Sequence, residues 1–117
     1  MPDGNHSPAI QLFSDTLISA IERQARELLV EIDEKQTSLK LRFDDGLTET
    51  VATIARLNHP VIIGRLKNIA NLDIAERRIP QQGCFRLKHQ GGLVDVSVSI
   101  IPTEHGENAV LGIGKKW

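Results

Sequence analysis

Residues 93–101 read LVDVSVSII and carry the clearest strand pattern in the chain. Val94, Val96, Val98 and Ile100 alternate with mostly polar neighbours, and this period of two places apolar side chains on one face of a sheet. A strand with one apolar face and one polar face is typical of an antiparallel sheet that is covered on a single side. The stretch therefore predicts such a sheet.

Weaker patterns on both sides of this stretch predict the remaining strands. These strands lie at 28–32, 39–43, 85–89 and 109–113. Polar or glycine-bearing segments at 34–38, 45–46, 90–92 and 102–108 are predicted as the turns between them. Asp45–Gly46 favours a tight hairpin, because both residues tolerate a positive φ. Residues 47–57 fit a helix by period and a strand by composition, so the pattern leaves both readings open.

Two helices complete the predicted fold. The first begins at Ser7–Pro8 and repeats apolar residues at three- and four-residue steps as far as Leu28; the second begins at Pro60, with His59 as its cap, and ends near Leu72. We predict an α+β domain at 8–113, with both helices packed on an antiparallel sheet as a PAS-like two-layer sandwich. Residues 1–7 are expected to be flexible, and residues 114–117 to form a basic tail.

Composition excludes several classes of partner. The 117 residues suffice for one domain, and 14 Lys and Arg nearly balance 15 Asp and Glu, so no overall positive field attracts nucleic acid. Tyr is absent and aromatic residues are 3% of the chain, which removes the stacking platforms of single-strand binders.

There is neither a secretory signal nor an apolar run of the ~20 residues that a membrane span needs. A lone cysteine suits the reducing cytoplasm.

Catalytic and metal-binding patterns are not apparent. The segment 109–116 ends in Gly-Lys-Lys but lacks the first glycine and the hydroxyl of a phosphate-binding loop. His6, His59, His89 and His105 share no metal-ligand spacing and are expected in solvated loops. Cys84 has no base near it in sequence. We therefore expect neither an enzyme nor a bound cofactor.

Residues 72–83, LDIAERRIPQQG, place an unusual density of charge between the second helix and the next strand. Glu76, Arg77 and Arg78 are consecutive. They suit either an ion-pair clamp on a partner or a solvated surface, because exposed pairs contribute only about 0–1 kcal/mol and need no function. The residues alone leave both readings open.

The longer stretch 64–84, GRLKNIANLDIAERRIPQQGC, resembles the amino-terminal, PAS-like domain that precedes the motor domain in type II secretion and type IV pilus assembly ATPases. The likeness continues through 94–99, Pro102–Thr103 and Gly106–Glu107. It implies an antiparallel sheet flanked by helices, with residues 47–51 in a strand. It also implies a cytoplasmic domain that packs against a RecA-type motor and directs arginines towards ATP phosphates.

Three positions depart from the family pattern where it usually carries arginine: Cys84, Ser97 and Gly112. None of these side chains can hold a phosphate charge. Walker A and Walker B motifs are missing as well. The loss of the arginines favours a natural free-standing copy of the domain over a piece of a longer protein.

The resemblance and the residues together predict a non-catalytic module that docks on a component of a secretion or pilus system, with its motor domain as one candidate. The residues expected to bind the partner are Asp73, Glu76, Arg77, Arg78 and Gln81. One alternative is the regulatory fragment of a full-length ATPase. Another is a PAS-like sensor whose small residues, Cys84, Ser97, Ser99 and Gly112, open space for a ligand. Self-association is left open.

Overall fold

The computed structural model describes residues 7–116, and the side chains of residues 7–114. The described residues form two helices and six strands, which confirms the predicted α+β class. In chain order they are α1 (Pro8–Glu22), β1 (Glu27–Ile32), β2 (Gln36–Arg42), β3 (Thr48–Ala55), α2 (His59–Ile69), β4 (Gln81–His89), β5 (Gly92–Thr103) and β6 (Gly106–Lys116). A 3-10 turn, Arg56–Asn58, precedes α2.

The sheet is antiparallel and has the strand order β3-β2-β1-β6-β5-β4. Each half is a meander of three consecutive strands, and β1 joins the halves by pairing with β6 so that Leu28 lies opposite Leu111. This contact between strands that are distant in sequence creates one continuous core. It also brings the end of α2 near β4 and β6.

Both helices cover the same face of the sheet. The apolar residues of β5 that alternate in the sequence, from Val94 to Ile100, are 0–1% exposed and face the helices. The opposite face carries ion pairs such as Lys40–Glu31 at 2.7 Å and has no helix over it in the described part of the chain. The predicted sheet with its helices on one side is therefore confirmed.

Helix α1 is shorter than its sequence pattern predicts. It ends at Glu22, and Gln24 adopts φ +59, a left-handed conformation that a helix does not continue through. The amide of Ala25 donates back to the carbonyl of Ala20 at 2.9 Å, which closes the last turn. Ala25 is buried beyond the end of the helix, so its apolar character continued the helical pattern too far.

Several strands are longer than predicted. Thr37 lies in β2 and is fully buried, although residues 34–38 are predicted as a turn. Strand β5 continues through Pro102, where its only paired neighbour is β6, because β4 begins opposite Ile100. A proline is tolerated on a strand with an unpaired side, since its missing N–H breaks no ladder there.

The ambiguous residues 47–57 form β3 for most of their length, as the resemblance implies. Residues 1–6 of the predicted flexible segment, and Trp117 of the predicted basic tail, lie outside the described residues. Residues 114–116 belong to β6. No helix within residues 7–116 is long and apolar enough to cross a membrane.

Candidate protein-docking site

Loop 72–80 connects α2 to β4 and follows a sharp helix end. Asn71 adopts φ +63, and the amide of Leu72 donates to the carbonyl of Lys67 at 2.7 Å. A left-handed residue after a helix turns the chain away while satisfying the last carbonyls of the helix. The loop therefore leaves α2 in a defined direction.

The side chain of Gln81, the first residue of β4, anchors this loop to the sheet through hydrogen bonds. Its Oε1 accepts from the amide of Asp73 at 2.9 Å, and its Nε2 donates to the carbonyls of Asp73 at 3.0 Å and Glu76 at 3.3 Å. The Asp73 carboxylate accepts from the amide of Ala75 at 3.0 Å. Gln81 and Asp73, both expected to bind a partner, are thus hydrogen-bonded within the loop.

Lys67, on α2, anchors the loop to the helix. The residue is 1% exposed, and its Nζ donates to the carbonyl of Glu76 at 2.5 Å and to Oε1 of Glu107 at 2.9 Å. The other carboxylate oxygen of Glu107, Oε2, lies 2.8 Å from Nζ and forms an ion pair with it but accepts no hydrogen bond. A buried charge is tolerated only when it is paired. This pair ties α2, β6 and loop 72–80 together.

His59 lies in the core beside this pair. It is 2% exposed, its Nε2 is 2.6 Å from the carbonyl oxygen of Glu107, and its Nδ1 is 2.8 Å from Oγ1 of Thr37. A carbonyl can only accept, so Nε2 carries the proton, and Nδ1 of the neutral ring accepts from the threonine hydroxyl. The expectation of solvated loop histidines is wrong for His59, which instead joins α2 to β2 and β6.

Burial lowers the pKa of His59 below its ordinary 6.5, and the hydrogen bond to Glu107 opposes this only in part. We expect the contribution of neutral His59 to stability to be complete above about pH 6.5, the ordinary pKa of a histidine. It should fall, by up to about 1.4 kcal/mol per pH unit, as the pH drops from about 6.5 towards the lowered pKa, because the unfolded chain binds the proton more readily. Urea unfolding at about pH 7.5 and 5.5 measures this loss. His59→Gln, which does not titrate, should lose less stability over that range, and an equal loss would contradict the assignment.

The residues that loop 72–80 presents to solvent are of two kinds. Arg78 pairs with the carboxylate of Glu76 at 3.2 Å, which lowers the pKa of that carboxyl, yet the Arg78 side chain is 87% exposed. Arg77 is exposed, and its side chain makes no hydrogen bond or ion pair to another described residue. Ile74 and Ile79 are apolar but 52% and 56% exposed. We call Ile74, Arg77, Arg78 and Ile79 the loop surface.

The three positions at which the resemblance implies an arginine form one row across the other face of the sheet. Cys84 lies opposite Ser97, and Ser97 opposite Gly112. An open hollow of about 680 Å³ lies over them, flanked by the Arg86–Asp95 ion pair. The structure thus brings these positions together on the face away from both helices. Among the described side chains, no group of three His, Cys, Asp or Glu could hold a metal ion.

Sequence reasoning did not identify Lys67, Glu107 or His59 as part of this arrangement. Lys67 lies inside the stretch that resembles the family, and Glu107 ends the second matching segment, 40 residues away. Their opposite charges within two matching segments were the available signal. Burial was the missing information, because neither position belongs to an apolar pattern.

Comparison with known proteins gives a consistent result. The family model described as type II/IV secretion system protein matches residues 3–116. The chain is similar to the type II secretion system ATPase E of Vibrio cholerae serotype O1, with 39% identity over 105 residues. It is also similar to the type II secretion system proteins E of Klebsiella pneumoniae (39% over 105 residues) and Xanthomonas campestris pv. campestris (36% over 107 residues). These matches cover 90–92% of this chain, which spans only about a fifth (19–21%) of each relative's length.

Proposed function

The chain belongs to the type II/IV secretion system protein family, and from that premise we propose that it is a non-catalytic docking module that binds a protein component of a secretion or pilus machine in the cytoplasm. The proposed contact is the loop surface. The proposed partner is a RecA-type motor domain, because the resembling domains pack against one. In a longer polypeptide the same surface would meet a motor domain of its own chain.

The observation that carries this proposal is the exposure of the loop surface on a loop that is fixed from within. Lys67 and Gln81 fix its backbone, so little conformational entropy is lost when a partner binds. Arginine is enriched at the energetic centres of interfaces. An exposed isoleucine on each side of the two arginines adds apolar area that a partner can cover.

The arrangement of the opposite face also supports docking over nucleotide handling. The row of Cys84, Ser97 and Gly112 has no positive charge at the positions where the family pattern has arginine. Arg77 and Arg78 lie instead on loop 72–80, on the way from α2 to β4. We therefore assign the arginines of this loop to protein contact, with Asp73, Glu76 and Gln81 shaping the loop beneath them.

Charge reversal at the loop surface tests the proposal. We expect Arg77→Glu and Arg78→Glu each to weaken binding to a purified type II secretion motor domain by at least about tenfold, which corresponds to about 1.4 kcal/mol. The reason is that each change removes a donor group and introduces a like charge opposite the partner's acidic groups. Surface plasmon resonance gives both affinities.

Lys35→Glu is the matched control, because Lys35 is exposed in the turn between β1 and β2. It changes the net charge equally and should leave the affinity within about twofold. Unchanged binding by both arginine variants would remove the loop surface from the proposed function. A similar loss in Lys35→Glu would indicate a nonspecific charge effect.

A further inference from the structure

A groove of about 290 Å³ lies between α2 and loop 72–80 on one side and the turn from β5 to β6 on the other. Its apolar lining includes Pro60, Ile63 and the exposed Ile74. The volume is at the lower end of the roughly 300–1,000 Å³ of pockets that enclose small-molecule ligands. The groove therefore suits a side chain and its backbone better than a whole cofactor.

The charges that line the groove are unbalanced. Arg56, Lys67 and Arg77 are among the lining residues, while Glu107 is the one carboxylate among them. Lys67 already neutralises Glu107 through their ion pair. The two remaining guanidinium groups thus leave the groove positive.

Neither of these arginines is neutralised by a carboxylate among the described side chains. Arg56 donates to the carbonyls of Glu34 at 3.3 Å and His105 at 3.0 Å, which fixes its position and leaves its charge uncompensated. The Arg77 guanidinium has no hydrogen bond or ion pair with any other residue between 7 and 114. A fixed guanidinium and an available one, flanking apolar side chains, complement a ligand with carboxylates beside an aliphatic group.

We propose that this groove binds a short acidic peptide segment of the protein partner, with one aliphatic side chain against Ile63 and Ile74 and carboxylates on Arg56 and Arg77. The inference rests on the proposed function and names the chemistry of the partner at that site. Because the groove walls are held by the Lys67–Glu107 pair and by Gln81, it is formed before the partner arrives.

Gly64 offers a way to block the groove without disturbing the fold. It lies within α2 and lines the groove, and a Cβ added to it would have no heavy atom within 4 Å. Gly64→Leu therefore fills the groove from the helix, while Gly64→Ala makes the same backbone change with little bulk. Any added side chain also removes the flexibility of a helical glycine, which favours folding.

The test is an NMR titration of the ¹⁵N-labelled domain with the acetylated, amidated peptide Gly-Asp-Leu-Asp-Gly. We expect shifts at Gly64, Ile74 and Arg77, and affinity at least about tenfold lower in Gly64→Leu and Arg77→Glu than in the unmodified chain. The controls Gly64→Ala and Lys35→Glu should stay within about twofold, because Lys35 does not line the groove. Peptides with Lys in place of Asp, or Ser in place of Leu, should bind far more weakly.

Three results would overturn the inference: no shifts at millimolar peptide, shifts outside the groove, or equal binding of the lysine peptide. Binding of the motor domain separates this failure from that of the proposed function. If Gly64→Leu binds the motor normally while Arg77→Glu and Arg78→Glu do not, the groove proposal is wrong and the docking surface stands. If the peptide binds in the groove but neither the unmodified chain nor its variants bind the motor domain, the proposed function is wrong and the groove site stands.

Discussion

Replacing Lys67 by methionine is expected to lower the free energy of unfolding by about 3–5 kcal/mol, because it leaves the Glu107 carboxylate buried without a counter-charge. Methionine keeps most of the length of the lysine stem, so little of the loss would come from a cavity. The carbonyl of Glu76 loses its donor in the same variant. Urea unfolding followed by circular dichroism measures the loss, and faster amide exchange at Arg77 and Arg78 would report the loosened loop.

A double variant distinguishes the effect of an unpaired buried charge from that of a general packing defect. Lys67→Met combined with Glu107→Leu removes both charges and should recover most of the lost stability, since apolar replacement of a whole buried pair is often neutral or better. Lys40→Met is the matched control, because the Lys40–Glu31 pair is about one-third exposed (32% and 40%) and should contribute only about 0–1 kcal/mol. A loss for Lys67→Met no larger than this control would contradict the proposed role of the buried pair.

Gly83→Ala is expected to destabilise the domain by about 1–3 kcal/mol through overpacking. A Cβ on Gly83 would lie 2.7 Å from the carbonyl oxygen of Ala70 and 3.0 Å from Cδ2 of Leu72. The first of these atoms belongs to the backbone at the end of α2, which cannot move without shifting the helix. Thermal or urea unfolding gives the difference in stability.

Gly64→Ala is the control for this substitution. Its new methyl group meets open space within α2, and it should raise stability by about 0.5–1 kcal/mol, because glycine is the more flexible residue in the unfolded chain. Opposite signs at the two glycines would show that close approach, rather than glycine content, decides the effect. Equal stability of Gly83→Ala and the parent would mean that β4, an edge strand, moves outward to accommodate the methyl group.

The charged stretch 72–83 therefore has two parts with different physical roles. Gln81 and Gly83 act inwards: one holds the loop by hydrogen bonds and the other lets β4 approach the end of α2. Arg77 and Arg78 act outwards, since their side chains extend from a backbone that Lys67 and Gln81 fix. Such a division explains how one short segment can resemble a family closely for structural reasons and still carry the proposed docking surface.

Much of the fold could be predicted because its signals are local. The alternation in 93–101 is a property of neighbouring residues, and β5 follows it with each predicted core residue buried. Element ends were less predictable where the decisive conformation has no residue signature, as at Gln24, whose left-handed backbone ends α1 without a glycine. The candidate site was located in part: its loop and its arginines were identified, whereas Lys67 and Glu107 were not, and Gln81 was expected to bind a partner rather than to fix the loop.

The sequence by itself determined the α+β class, the antiparallel sheet with one covered face, the family and the exposed arginines of loop 72–80, because each depends on periods or motifs within a short stretch. Only the tertiary structure decided that β1 pairs with β6, that Lys67 meets Glu107, and that Cys84, Ser97 and Gly112 share one row. The physical reason is that these contacts join segments far apart in the chain. Their energies come from burial and strand register, which no local pattern of residues contains.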